Sequence, residues 1–193
     1  MATIGPLTAT WGADVEPGGT KYPADGSDFA GGDGTSKYRT SNKFDISSLP
    51  TNATVTQVDF SIYVSVVAGA GSLLWDIGCY GTNGQGNPES DSGATMYTNS
   101  APGNVYVNDD TNFRTTGQKT FTNLGSQANT DVEAARDAGS IFSIAIQETT
   151  DTGVNSQAQF REYNHGTTPP QLTITYTVPA KGLIMLMGDG GFL

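Results

Sequence analysis

The sequence has a single cysteine, Cys79, a single histidine, His165, and nine basic residues against nineteen acidic ones. A lone cysteine excludes an internal disulfide, the usual staple of a small secreted domain. One cysteine and one histidine also exclude a transition-metal cluster of the zinc-finger kind. No apolar run approaches the roughly 20 residues that span a bilayer, so no membrane segment is expected. The opening, MATIGPLTATWGADVEPGG, has neither the basic start nor the apolar stretch of a secretory leader, and none is expected. The shortage of positive charge leaves a net −10 and a pI near 4.2. Such a surface repels phosphate backbones, which argues against nucleic acid as a partner.

What is plentiful is glycine, 25 residues in 193, together with threonine, serine and asparagine. That composition suits a sheet protein with many turns. It does not read as disorder, because the apolar residues fall in patterned runs. The length fits one domain with a sizeable core, so no staple is needed to explain stability.

The clearest pattern lies in NKFDISSLPTNATVTQVDFSIYV, residues 42–64. Val55, Val58, Phe60, Ile62 and Val64 are apolar, with Thr56, Gln57, Asp59 and Ser61 between them. A period of two buries one face of a strand and wets the other, as in an antiparallel sheet packed on one side. Phe44, Val58, Phe60, Ile62, Val64, Ile144, Ile146, Leu172 and Ile174 are expected to share one interior. Further strands are predicted at 7–11, 37–46, 72–81, 105–109, 119–124, 140–148, 157–163 and 170–178. One helix is predicted, DVEAARDAG at 131–139, with Thr130 or Asp131 as its cap and Gly139 as its stop. Residues 82–104 read as a long connection. Trp11 and Trp75 fall in strand patterns and are expected in the core. The fold class expected is all-β: an antiparallel sandwich with one short helix.

The stretches YRTSNKFDISSLPTNATVTQVDFSIYV, TDVEAARDAGSIFSIAIQE and FREYNHGTTPPQLTITYT, in that order, resemble jelly-roll β-sandwich domains of the DNRLRE and carbohydrate-binding-module type. The resemblance covers residues 37–178 and implies a jelly-roll body there. Residues 1–36 are then a Gly-rich N-terminal arm with a first strand, and 179–193 an apolar C-terminal tail. Arg161 and Glu162, beside His165, are expected to form a structural ion pair locking two strands.

Catalysis is not expected. His165 lies in a turn-like YNHGTTPP, no G-x-S-x-G elbow is present, and Cys79 reads as a small apolar strand residue. No cofactor is implied. The acidic stretch DGSDFAGGDG, residues 25–34, lacks EF-hand spacing and reads as a solvated loop rather than a calcium site. The family's familiar use, sugar binding, needs exposed rings, and Tyr80, Tyr97 and Tyr106 are the candidates. In the tail, Leu183, Ile184, Met185, Leu186 and Met187 form an apolar run, and Phe192 and Leu193 follow. Exposed, such a run would aggregate, so it is expected either to fold back as a strand or to bind another polypeptide. The function expected is a non-enzymatic virion protein of a bacteriophage-like particle, a capsid decoration (cement) protein. Its partners would be the major capsid protein or another virion protein, and copies of itself in a homo-oligomer. The alternative is an extracellular carbohydrate-binding module, or a fibre or adhesin head that attaches to a host glycan.

Overall fold

The computed structural model describes residues 1–69, 73–150 and 156–179. Within them the chain is mostly β, with every strand pairing antiparallel, and two helices. The strands are β1 (Ala2–Thr8), β2 (Trp11–Val15), β3 (Lys21–Tyr22), β4 (Asp28–Gly32), β5 (Lys37–Asp45), β6 (Thr54–Ala68), β7 (Trp75–Cys79), β8 (Val105–Asp110), β9 (Gly117–Phe121), β10 (Ile141–Glu148), β11 (Ser156–Phe160) and β12 (Gln171–Thr177). The helices are α1 (Gly93–Asn99) and α2 (Ser126–Ala138). Hydrogen bonding runs in the order β1-β12-β6-β11-β4-β5-β10-β7-β8, with β2 on β5, β3 on β2 and β9 on β6. The sheet curls, and β5 is the seam. Its first residues, Lys37 and Tyr38, pair with β4, and from Arg39 onward it pairs with β2 and β10.

β6 realises the alternation seen in the sequence. Val55, Val58, Phe60, Ile62 and Val64 are buried, and Thr54 and Thr56 face water. Phe60 meets Phe44 edge-to-face at 6.3 Å and stacks on Phe121 at 6.4 Å. All nine positions predicted for the interior are fully buried and belong to one cluster. Trp75 is in the same cluster, whereas Trp11 lies in a second, smaller one with Ala13, Val15, Tyr80, Met96 and Ala145. That second cluster lies on the outer face of the sheet, under α1. The period of two along β2 therefore sends Trp11, Ala13 and Val15 to α1, and Gly12 and Asp14 to the opposite face.

Three expectations change. Residues 1–36 hold four strands rather than one, and the predicted strand at 7–11 is the corner between β1 and β2. The long connection contains α1. Its Ser92 Oγ accepts from Thr95 N at 3.2 Å, and Met96 anchors it. The predicted helix begins five residues early, at Ser126 after Gly125, so neither Thr130 nor Asp131 caps it. Asp131 is mid-helix and buried, accepting from Asn104 Nδ2 at 2.9 Å, Gln127 Nε2 at 3.0 Å and Tyr106 Oη at 2.8 Å. Gly139 does end the helix, as expected.

Candidate functional site

Where β5 passes between the two halves of the sheet, a cavity of about 320 Å³ opens, lined by Asp14, Tyr22, Asp25, Phe29, Asp33, Tyr38 and Gln157. Strand pairing assembles it. Tyr22 of β3 stands opposite Asp14 of β2, and Gly31 pairs with both Tyr38 of β5 and Gln157 of β11. Gly31 has φ +125°, and a Cβ there would lie 2.3 Å from Ser156 O, so only glycine lets β4 and β11 close at this point. The rings form a contiguous group: Tyr38 lies 6.0 Å from Tyr22 at 60° and 5.7 Å from Phe29 at 44°. Tyr38 Oη donates to Asp33 Oδ2 at 3.2 Å, while Asp33 Oδ1 accepts from the amides of Thr35 and Ser36, each at 2.8 Å. Those donors hold the Asp33 carboxyl below its ordinary pKa, so it is charged at neutral pH.

The floor is of a different character. Asp14 is almost fully buried, and its Oδ1 bonds to no described residue. Behind it Asp28 is fully buried, with neither carboxyl oxygen bonded to a described residue, and so is Asn42, whose side-chain oxygen and nitrogen likewise bond to none. Gly12 makes the room for them. A methyl on it would lie 2.7 Å from Asn42 Oδ1 and 3.4 Å from Asp28 Oδ2. Glu162, also buried, accepts from Gly26 N at 2.6 Å. Burial, reinforced by Asp25, Glu162 and Glu16, pushes the Asp14 pKa up to about 8. Burial, with Asp14, Glu162 and Asp25 beside it, raises that of Asp28 well above the ordinary value. None of the seven lining residues is basic.

Compared with known proteins, the chain matches no family model and no curated sequence.

Of the tyrosines predicted for sugar binding, Tyr80 and Tyr97 fall in one cluster with Met96 of α1, and Tyr106 lies against the main core. Tyr80, expected as an exposed ring, is fully buried beneath α1 and donates to Asp91 Oδ2 at 2.7 Å. It offers no face to a sugar. Tyr106 is half-buried against the main core with its hydroxyl given to Asp131. Tyr97, also half-buried, is covered by the Arg39 guanidinium, 4.1 Å from its ring centroid. Leu183, Ile184, Met185, Leu186, Met187, Phe192 and Leu193 lie outside the described residues.

Arg161 and Glu162 do not pair with each other. Arg161 stacks on Tyr63 at 3.9 Å and donates to Thr168 Oγ1, while Glu162 turns to Gly26. His165 Nδ1 accepts from Thr168 N at 3.2 Å, which helps hold the turn. Cys79 is buried, and desolvation raises its thiol pKa, away from nucleophilic character. The acidic stretch 25–34 is not a solvated loop, because Asp28 is interior, Asp33 organises a turn and Asp25 edges the cavity. Among the described residues, no three His, Cys, Asp or Glu side chains are arranged to hold a metal ion. No described helix is long and apolar enough to cross a membrane.

Sequence reasoning missed Tyr22 and Phe29 because glycine and aspartate surround them and read as loop, and Tyr38 because it opens a predicted strand with no sign of what it would face. The available signal was three rings within seventeen residues, with three carboxylates interspersed.

Proposed function

We propose that this protein is a non-enzymatic structural component of a bacteriophage-like virion, a capsid decoration protein with a jelly-roll body that holds the particle through its terminal segments. One observation carries the reading. β1 pairs with β12 so that Ala2 stands opposite Tyr176, which brings both described ends to one corner of the sheet. Met1 and Val178, two of the four well-exposed large apolar side chains among the described residues, lie at that corner. In sequence the run Leu183–Met187 follows five residues after Val178. An apolar corner continuing into an apolar run suits attachment to the major capsid protein or to another copy of the chain. The acidic body, facing outward, keeps crowded copies soluble.

Deleting residues 181–193 tests this. The truncated chain is expected to keep its thermal midpoint and to lose attachment to particles or self-association. A truncated chain that cannot fold, from a parent that stays monomeric and never joins a particle, would refute it.

A second reading, a glycan-binding module or fibre head, is favoured by the cavity at Tyr22, Phe29 and Tyr38. Ring faces beside carboxylates are the groups that hold a sugar's apolar face and its hydroxyls. A glycan array gives the comparison. A micromolar glycan lost on Tyr38→Ala would favour this reading, and a blank array would leave the first in place.

A further inference from the structure

We propose that the cavity between β2, β3, β4 and β5 binds a small organic cation bearing N–H donors, an ammonium such as that of an amino sugar or a guanidinium, with its charged head at Asp14 and its carbon skeleton against Tyr22, Phe29 and Tyr38. The inference extends the glycan reading of this site but does not need it, since an amine can bind whether or not a sugar carries it.

Three independent features converge on that chemistry. The first is the lining, in which three aspartates and no basic side chain face one space. The second is the state of the buried acceptors. Asp14 and Gln157 both line the cavity, their Oδ1 and Oε1 are buried and bond to no described residue, and neither oxygen of Asp28 behind them bonds to one. Once it has lost its proton Asp14 is an acceptor at both oxygens; a buried acceptor left unmatched is costly, and the partner it lacks is then a donor. Ammonium and guanidinium groups carry donors only, three and five respectively. The third is the ring cluster. A cation over tyrosine or phenylalanine faces is attracted by their quadrupoles, more strongly when water is excluded. A neutral sugar satisfies the rings but leaves the acids uncompensated. A bare metal ion would leave the rings unused, and the three-carboxylate arrangement it would want is not among the described residues.

Charge coupling gives the proposal its own signature. The groups facing Asp14 are Asp25, Asp28, Glu16 and Glu162, all acidic. In the free protein they favour a protonated Asp14. A bound cation reverses that preference, so the ligand must displace a proton at low pH.

Titration of the full chain with methylguanidinium, which stays charged throughout, is the test. NMR shifts are expected at the rings of Tyr22, Phe29 and Tyr38, with binding about tenfold or more tighter at pH 9 than at pH 6. Asp14→Asn should abolish both the binding and its pH dependence. D-Glucosamine should bind in preference to glucose and N-acetylglucosamine. The proposal is overturned if methylguanidinium at millimolar concentration leaves those rings unmoved in the native protein. It is equally overturned if affinity is the same at both pH values, or if calcium ions bind there and the amines do not. If the neutral and charged sugars bind alike, the site reads rings rather than charge, which rejects this inference and keeps the glycan reading.

Discussion

Phe60 touches two rings, Phe44 and Phe121, from the centre of the longest strand, and no part of it reaches water. Phe60→Ala should therefore cost about 3–5 kcal/mol in chemical unfolding. A loss under about 1 kcal/mol would contradict the register of β6. Asp14 and Asp28 make the opposite prediction, of groups whose charged forms the fold resists. In the unfolded chain an aspartate releases its proton near pH 3.9, whereas folded Asp14 keeps its proton up to about 8. Between those values folding takes up a proton, so stability that is whole at pH 4 declines as pH rises through about 8. The slope is at most about 1.4 kcal/mol per pH unit for each such proton. Urea unfolding at several pH values should show the decline, and Asp14→Asn should flatten part of it. The core residues were legible in the sequence because burial imposes a period. Asp28 was not, because an aspartate among glycines has the same letters whether it faces water or an interior.

Elements were legible where their pattern was self-sufficient. β6, β10 and β12 carry alternation long enough to identify them, and α2 carries good helix formers. α1 has neither advantage. Gly93, Thr95, Thr98 and Asn99 are weak helix formers, and the segment is helical because Ser92 caps it and Met96 enters the satellite cluster with Tyr80 and Trp11. Tertiary contact decides there, and local sequence cannot show it. The strands of the first 36 residues were hidden for a related reason, since β4 is an Asp-Phe-Ala-Gly-Gly segment held by its neighbours. Its dependence on glycine can be tested. Gly31→Ala puts a methyl against Ser156 O and Gln157 Cα at a positive φ, and should destabilise by about 1–3 kcal/mol while leaving α2 untouched. The cavity between β4 and β5 should loosen with it, so methylguanidinium binding should weaken in the same variant.

At the scale of the whole molecule, the predominance of antiparallel β structure was legible in the sequence. The curled sheet, the seam at β5 and the cavity beside it were not legible, because they follow from the distant pairing of β4 with β11 and from the change of partner along β5, from β4 to β2 and β10. The strongest whole-molecule prediction concerns particles. If the chain decorates a capsid, purified virions should contain it in a fixed ratio to the major capsid protein, as measured by quantitative mass spectrometry. A trace or variable amount would count against the decoration reading.

The antiparallel pairing of β1 with β12 also sets how the molecule bears force. With Ala2 opposite Tyr176, a pull that separates the two ends loads the first rung of that ladder alone. The rungs then open one after another, as in unzipping, rather than resisting together in shear. The edge strand β1 would peel at low load while the ring cluster around Phe60, two strands further in, stays closed. An anchor at only one end would bypass the ladder altogether, leaving the body as a free-swinging weight on its tether. Single-molecule stretching between residues 2 and 177 should accordingly give a small early event before the main rupture, and stretching from a residue within β6 should not.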